Sequence, residues 1–168
     1  MLIRTEIPVD AAKIDKLLRL VFGRSNEADF LHHLREEGLL TLGMVATDDD
    51  GDVIGYAAFS PVDVMHEDHQ WVVLAPLAVD ERYRGNELAK RLIFEGMDSL
   101  NEFGYACVVA YGQADFYQRY GFRRADEYGL FCQQQTQDGV LQIHPLENEN
   151  IVGLTGQIEF APVFSQYL

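Results

Sequence analysis

Arg82, Arg84, Lys90 and Arg91 fall within ten positions of a chain that carries 27 acidic against 13 basic residues, a formal charge of −14. The chemistry such a cluster serves is anion binding. Gly85 lies inside it, after an apolar run over residues 74–79 and before a pattern that puts Leu88, Ala89, Leu92, Ile93, Met97 and Leu100 on one helical face. The change of period predicts a helix from about residue 85. Its first N–H groups have no intrahelical partners and sit at the positive end of the macrodipole, so a diphosphate there would be held by main chain as much as by side chain. The competing use of these cations is pairing with Asp80, Glu81, Glu87 and Glu95 on a solvated surface, which is the common fate of charged runs.

Elements on either side must hold this turn in place. Pro76, which has no N–H, suits an interruption or edge of the strand that enters the turn. Upstream, residues 2–7 alternate as a first strand, and Pro8 leads into a helix carrying Ala12, Ile14, Leu17, Leu18, Val21 and Phe22. A second helix covers residues 26–37 and stops at Gly38. Strands over 40–46 and 53–62 flank the run Asp48, Asp49, Asp50, Gly51 and Asp52, which reads as a hairpin turn rather than a calcium loop because it lacks the downstream glutamate. The entering strand spans 70–79 and the helix after the turn runs to about residue 104. A strand over 106–112, a short helix over 114–120 ended by Gly121, and strands over 128–133 and 140–144 follow. Residues 147–168 carry no clear pattern.

The 168 residues, 48% hydrophobic and 24% charged, fit one domain over 1–168, with a core over about 1–146 and a C-terminal segment over 147–168. No run is apolar enough to span a bilayer and no signal pattern follows Met1, so the expected location is the cytoplasm, away from membranes. Cys107 and Cys132 lie far apart in apolar runs and read as two buried thiols. The acidic balance argues against nucleic acid and is compatible with a cationic amine. His66, Glu67, Asp68 and His69 read as a solvated loop ahead of the fourth strand, and His32 and His33 as surface residues of the second helix.

The turn Arg82-Tyr83-Arg84-Gly85-Asn86-Glu87 resembles the acyl-CoA loop of the GNAT N-acetyltransferase superfamily, Q/R-x-x-G-x-G/A, in its first and fourth positions. A second block is similar to the family's fifth strand and the F/Y-Y-x-x-x-G-F segment after it: residues 108–112, then Phe116, Tyr117, Gln118, Arg119, Tyr120, Gly121 and Phe122. With the L-x-P-L-A-V strand, the two blocks resemble the small bacterial YhbS-like N-acetyltransferases. The resemblance covers roughly residues 1–146. It implies an α+β fold, a mixed and mostly antiparallel sheet flanked by helices, with parallel fourth and fifth strands splayed to admit a pantetheine arm.

The function it implies is transfer of an acetyl group from acetyl-CoA to a primary amine, small or peptidic, by direct attack; a homodimer is compatible with it. The matching cofactor positions are Leu77, Ala78 and Val79 on the strand and Arg82, Arg84, Gly85, Asn86, Glu87, Leu88 and Ala89 in the loop. Tyr117 matches the general acid, since a phenol of pKa near 10 is protonated at neutral pH and can serve a departing thiolate. Phe116, Tyr120 and Phe122 read as core aromatics. Glu87 departs from the pattern: a carboxylate about 5 Å from the diphosphate costs roughly 3 kcal/mol at an effective dielectric of about 20. The alternative that follows is a GNAT fold with weakened or lost CoA binding, serving as an interaction or ligand-sensing module. Tyr111-Gly112-Gln113-Ala114 likewise departs from the subgroup's L-G-D/N-P, a change on the side of the acceptor.

Overall fold

The computed structural model describes residues 1–85, 87–133, 139–147 and 153–168, so Asn86, residues 134–138 and residues 148–152 lie outside the described residues. They gather into two compact units, Met1–Ser60 with Ala75–Asp98 and Pro162–Leu168, and Pro61–Leu74 with Ser99–Ala161.

In the first unit β1 (Leu2–Thr5), β2 (Leu42–Thr47) and the first part of β3 (Val53–Val64) form an antiparallel ladder. Every residue of β2 is buried, which is why that strand reads as a continuous apolar run instead of an alternation. α1 (Ala11–Phe22) buries Ile14, Leu17 and Leu18 and ends at Gly23, whose φ of 65° takes the left-handed cap position. α2 (Asn26–Glu36) buries Phe30, Leu31 and Leu34. α3 (Leu88–Glu102) packs on β3 through two glycines. A Cβ on Gly55 would meet Leu92 Cδ1 at 2.9 Å, and one on Gly96 would meet the Phe59 ring at 2.6 Å. Close helix-to-strand approach therefore depends on both side chains being absent.

The second unit holds the parallel pair. β4 (Glu67–Val79) runs alongside β5 (Cys107–Gly112), in register from Trp71 with Cys107 to Val73 with Val109. Pro76 stands beyond that ladder, where a missing N–H costs no β5 bond. α4 (Ala114–Gln118) follows β5, and β6 is the short Arg123–Arg124. β7 is Leu130–Phe131, β8 is Val140–Pro145 and β9 is Gly156–Phe160. β8 is antiparallel to β5 and to β6, while β9 pairs antiparallel with the end of β3 and parallel with β7. The class is the expected one: a mixed sheet, mostly antiparallel, with β4 and β5 parallel and helices flanking it.

Four boundaries differ from the sequence reading. β3 and β4 meet at a two-residue turn, so Glu67, Asp68 and His69 belong to β4 and not to a preceding loop. The turn residues Met65 and His66 have φ of 50° and 67°, a conformation usually signalled by Gly or Asn, which this segment lacks. Glu159 of β9 compensates: one carboxylate oxygen accepts from the His66 N–H at 2.5 Å and the other pairs with the His66 ring at 2.6 Å. α3 begins at Leu88 because Gly85 and Glu87 sit at φ of 88° and 59°, outside helical space.

Of the strand expected over 128–133, only Leu130–Phe131 forms, since a 3₁₀ turn at Ala125–Tyr128 ends in Gly129 at φ 72°. The unassigned C-terminal stretch supplies β9 and α5 (Val163–Tyr167). α5 is too short to show a period, and packing makes it a helix: Phe164 meets Phe30 of α2 edge-on at 4.7 Å, and Asn26 donates to the Tyr167 carbonyl at 3.1 Å. The aspartate run is the hairpin turn expected, with Asp48 Oδ1 accepting from the N–H groups of Asp50 and Asp52. Cys107 and Cys132 are both buried. Among the described residues no helix is long and apolar enough to cross a membrane.

Candidate active site

The basic turn lies wholly in the first unit. Asp80 closes β4 and caps a 3₁₀ turn, Glu81–Tyr83, and the chain is extended at Arg84 and turns left-handed at Gly85. Asp80 is anchored to β3 by its own N–H, which donates to the Ile54 carbonyl at 2.8 Å, and its carbonyl accepts from the Tyr83 N–H at 2.9 Å. The first helical bond of α3 runs from the Arg91 N–H to the Glu87 carbonyl at 3.1 Å, so the donors before it face out of the helix end. Nothing lies within 4 Å of a Cβ built on Gly85, leaving open space over the turn. Arg84 and Glu87 are exposed, Leu77 and Val79 are half-buried, and Ala78 and Leu88 are buried.

The Arg82 side chain turns back to Asp80. The Arg82 backbone N–H and Nε donate to Asp80 Oδ1 at 2.9 and 3.1 Å, and its Nη2 donates to Oδ2 at 2.9 Å. The guanidinium holds the Asp80 carboxyl below the usual carboxylate range, chiefly through these bonds, and Asp80 is 5% exposed. Pairing of the basic residues with Asp80 is the competing use that the sequence offers, and for Arg82 the structure shows that pairing; the burial of Asp80 and its capping role are what the fold adds. A signal for the cap was present, because an aspartate two residues before a basic one at the end of a strand is a capping arrangement.

Tyr117 lies in the second unit on α4, inside an aromatic cluster. Its ring meets Phe116 at 5.0 Å and Phe122 at 5.4 Å, and Phe122 in turn meets His144 of β8 at 5.2 Å. Gly112 at the end of β5 makes room for it, since a Cβ there would stand 3.1 Å from Tyr117 Cε2. Gly121 at φ 92° turns the chain so that the Phe122 N–H reaches the Tyr117 carbonyl at 3.3 Å. Tyr117 is half-buried, desolvation pushes its phenol up to about 12, and among the described residues its hydroxyl has no hydrogen-bond partner. Phe122 is buried, as a core aromatic would be, while Phe116 and Tyr120 are half-buried.

Strand alternation puts Tyr111 on the sheet face opposite Gly112. Its ring fills the space over Gly139, where a Cβ would come within 2.4 Å of it. The first residues of β4 are partnered locally: Glu67 stands 3.7 Å from His69, and Asp68 accepts from the Gln70 N–H at 2.7 Å. His32 pairs with Glu36 on α2 at 2.9 Å, and His33 with Glu37, the residue that caps its C-terminus, at 3.0 Å. No group of three metal-ligating side chains converges among the described residues.

Comparison with known proteins agrees with these two blocks. The profile of the acetyltransferase (GNAT) family matches residues 13–122, a span that contains the basic turn, Gly112 and Tyr117. The uncharacterized N-acetyltransferase YhbS of Escherichia coli (strain K12) is 54% identical over 167 residues, covering 99% of this chain and 100% of that protein. The crystal structure of the Escherichia coli GNAT family N-acetyltransferase YhbS in complex with CoA matches with a TM-score of 0.95 at 53% identity, over 99% of this chain and 93% of that one. A GNAT family acetyltransferase from Brucella melitensis, solved in complex with acetyl-CoA, matches with a TM-score of 0.81 at 27% identity over 97% of each chain. With the family profile spanning most of its length and a relative of this identity end to end, the chain belongs to the acetyltransferase (GNAT) family.

Proposed function

We propose that this protein is an acetyl-CoA-dependent N-acetyltransferase acting on a primary amine, with the turn from Arg82 to Ala89 and the strand residues Leu77 to Val79 as the cofactor cradle and Tyr117 as general acid. The observation that carries the reading is the whole-chain likeness to a GNAT acetyltransferase crystallised with CoA. The turn fits such a group: the open space over Gly85, the outward donors of α3 and the exposed Arg84 all suit a diphosphate. Asn86 is included on its motif position alone.

Acetyl-CoA supplies the thioester whose acetyl group moves. The backbone donors of the turn hold its phosphates together with the exposed Arg84, and the departure at Glu87 weakens that hold without abolishing it. Glu87 is exposed and its charge is screened by solvent. A neutral amine forms the new C–N bond as the C–S bond breaks, and the Tyr117 hydroxyl gives its proton to the leaving sulfur. The excess proton on the amide nitrogen passes to solvent, and the phenolate takes one back. With its phenol pushed up to about 12, Tyr117 is a weaker acid than a thiol of pKa about 8.5, so its proton is drawn toward the sulfur only as charge develops there.

The test is Tyr117→Phe, assayed with acetyl-CoA and an amine found by screening. Turnover should fall about a hundredfold while acetyl-CoA affinity stays within about twofold. Unchanged turnover would remove Tyr117 from the mechanism.

A further inference from the structure

The GNAT loop pattern begins with a basic or amide residue, and Arg82 fills that position. Its charge is already answered. Both oxygens of the buried Asp80 carboxylate engage the guanidinium, Oδ1 at 3.1 Å from Nε and Oδ2 at 2.9 Å from Nη2, and Oδ1 also accepts from the Arg82 backbone N–H at 2.9 Å, although the Arg82 side chain is itself 72% exposed. The pair is tied into the fold at both ends: the Asp80 N–H donates to Ile54 of β3, and the Asp80 carbonyl accepts from the Tyr83 N–H that closes the 3₁₀ turn. The Arg82 guanidinium also lies 5.7 Å over the Tyr83 ring, so the side chains of Asp80, Arg82 and Tyr83 are linked in one chain of contacts. Arg84, two residues on, differs. It is exposed, extended, next to the left-handed Gly85, and in no ion pair among the described residues.

We propose that Asp80 and Arg82 act together as a positioning pair that sets the shape of the turn, and that Arg84 is the side chain that answers the phosphate charge. This rests on the acetyl-CoA reading above. A carboxylate beside a phosphate site would ordinarily oppose binding. Here its charge is spent chiefly on Arg82, and what it contributes is geometry, fixing the 3₁₀ turn that leads into the extended Arg84 and the left-handed Gly85. The division of labour makes opposite predictions for neighbouring arginines of the same motif. Loss of the pair loosens the turn without changing the net charge facing the ligand, whereas loss of Arg84 removes charge without loosening the turn.

The experiment is calorimetric titration of CoA into the full-length protein and three variants, at low salt and at about 0.3 M, where the Debye length falls to roughly 6 Å. Asp80→Asn should weaken CoA binding about three- to tenfold even though it frees a cation. The charge-neutral double variant Asp80→Asn with Arg82→Gln should keep the wild-type salt dependence, and Arg84→Gln should weaken binding about tenfold at low salt and flatten that dependence. Tighter binding by Asp80→Asn would overturn the proposal, because it would mean Arg82 reaches the phosphate once released. So would a double variant whose salt dependence is as flat as that of Arg84→Gln. Should Asp80→Asn fail to fold, Arg82→Gln against Arg84→Gln carries the comparison: equal flattening of the salt dependence overturns the proposal, and a salt effect confined to Arg84→Gln supports it. Failure of the wild type to bind CoA is a separate result, visible before any variant is compared; it overturns the cofactor reading and this proposal with it.

Discussion

Tyr117 and Gly112 are fitted to each other: the ring edge, at Cε2, occupies the place where a Cβ on Gly112 would come within 3.1 Å. Gly112 does not have a positive φ, so its backbone accepts alanine and the methyl group acts only on the ring. Gly112→Ala should displace Tyr117 by a few tenths of an ångström and lower kcat about tenfold, with acetyl-CoA affinity unchanged and stability altered by no more than about 1 kcal/mol. Steady-state kinetics beside thermal unfolding check this. Full turnover in Gly112→Ala would mean that the ring position carries no weight.

The pH profile offers a second check. Desolvation raises the Tyr117 phenol to about 12, and the general acid proposed above works in its protonated form, so a raised pKa should extend activity toward alkali. With saturating acceptor, kcat should hold steady from about pH 9 to about pH 11, where a tyrosine of ordinary pKa would already have lost most of its proton. A decline centred near pH 10 would speak against a desolvated tyrosine acid.

Glu87 holds φ at 59°, a conformation that costs a residue with a side chain about 1–2 kcal/mol and glycine almost nothing. Glycine in turn costs about 0.5–1 kcal/mol of chain entropy. Glu87→Gly should therefore change stability by less than about 1 kcal/mol. It should tighten acetyl-CoA binding about three- to tenfold, well short of the hundredfold an unscreened charge would produce. Calorimetry reads both numbers, and weaker binding would show that the carboxylate helps instead.

Asp10 illustrates a charge spent on the fold. It is buried, accepts from Arg4 Nη1 at 2.8 Å, Arg4 Nη2 at 3.0 Å and the Ile7 N–H at 2.8 Å, and Arg4 chiefly holds its carboxyl below the usual range. A depressed folded pKa stabilises above the unfolded value near 3.9 and ceases to do so as pH falls through the folded value. Asp10→Asn should cost about 1–3 kcal/mol at neutral pH, and the gap to wild type should shrink below about pH 4. Urea denaturation at the two pH values measures it.

Periodicity and turn chemistry were enough for the helices α1, α2 and α3, for the β2–β3 hairpin around the aspartate run, and for the strand, basic turn and helix that we propose as the cofactor cradle. Each is specified by neighbours within one element, through the spacing of apolar residues, a glycine at a left-handed position or a proline without a donor. The family itself was legible because its two motifs lie in short, continuous stretches. Tertiary contact decided the rest. Met65 and His66 turn sharply only because Glu159, 93 residues away from His66, holds the turn. α5 is helical because Phe164 has Phe30 to pack on, and Arg82 is a partner of Asp80 because burial of that carboxylate requires a cation. A motif position names the residue type that belongs there; whether its charge faces a ligand or a neighbour depends on which groups the fold has removed from water.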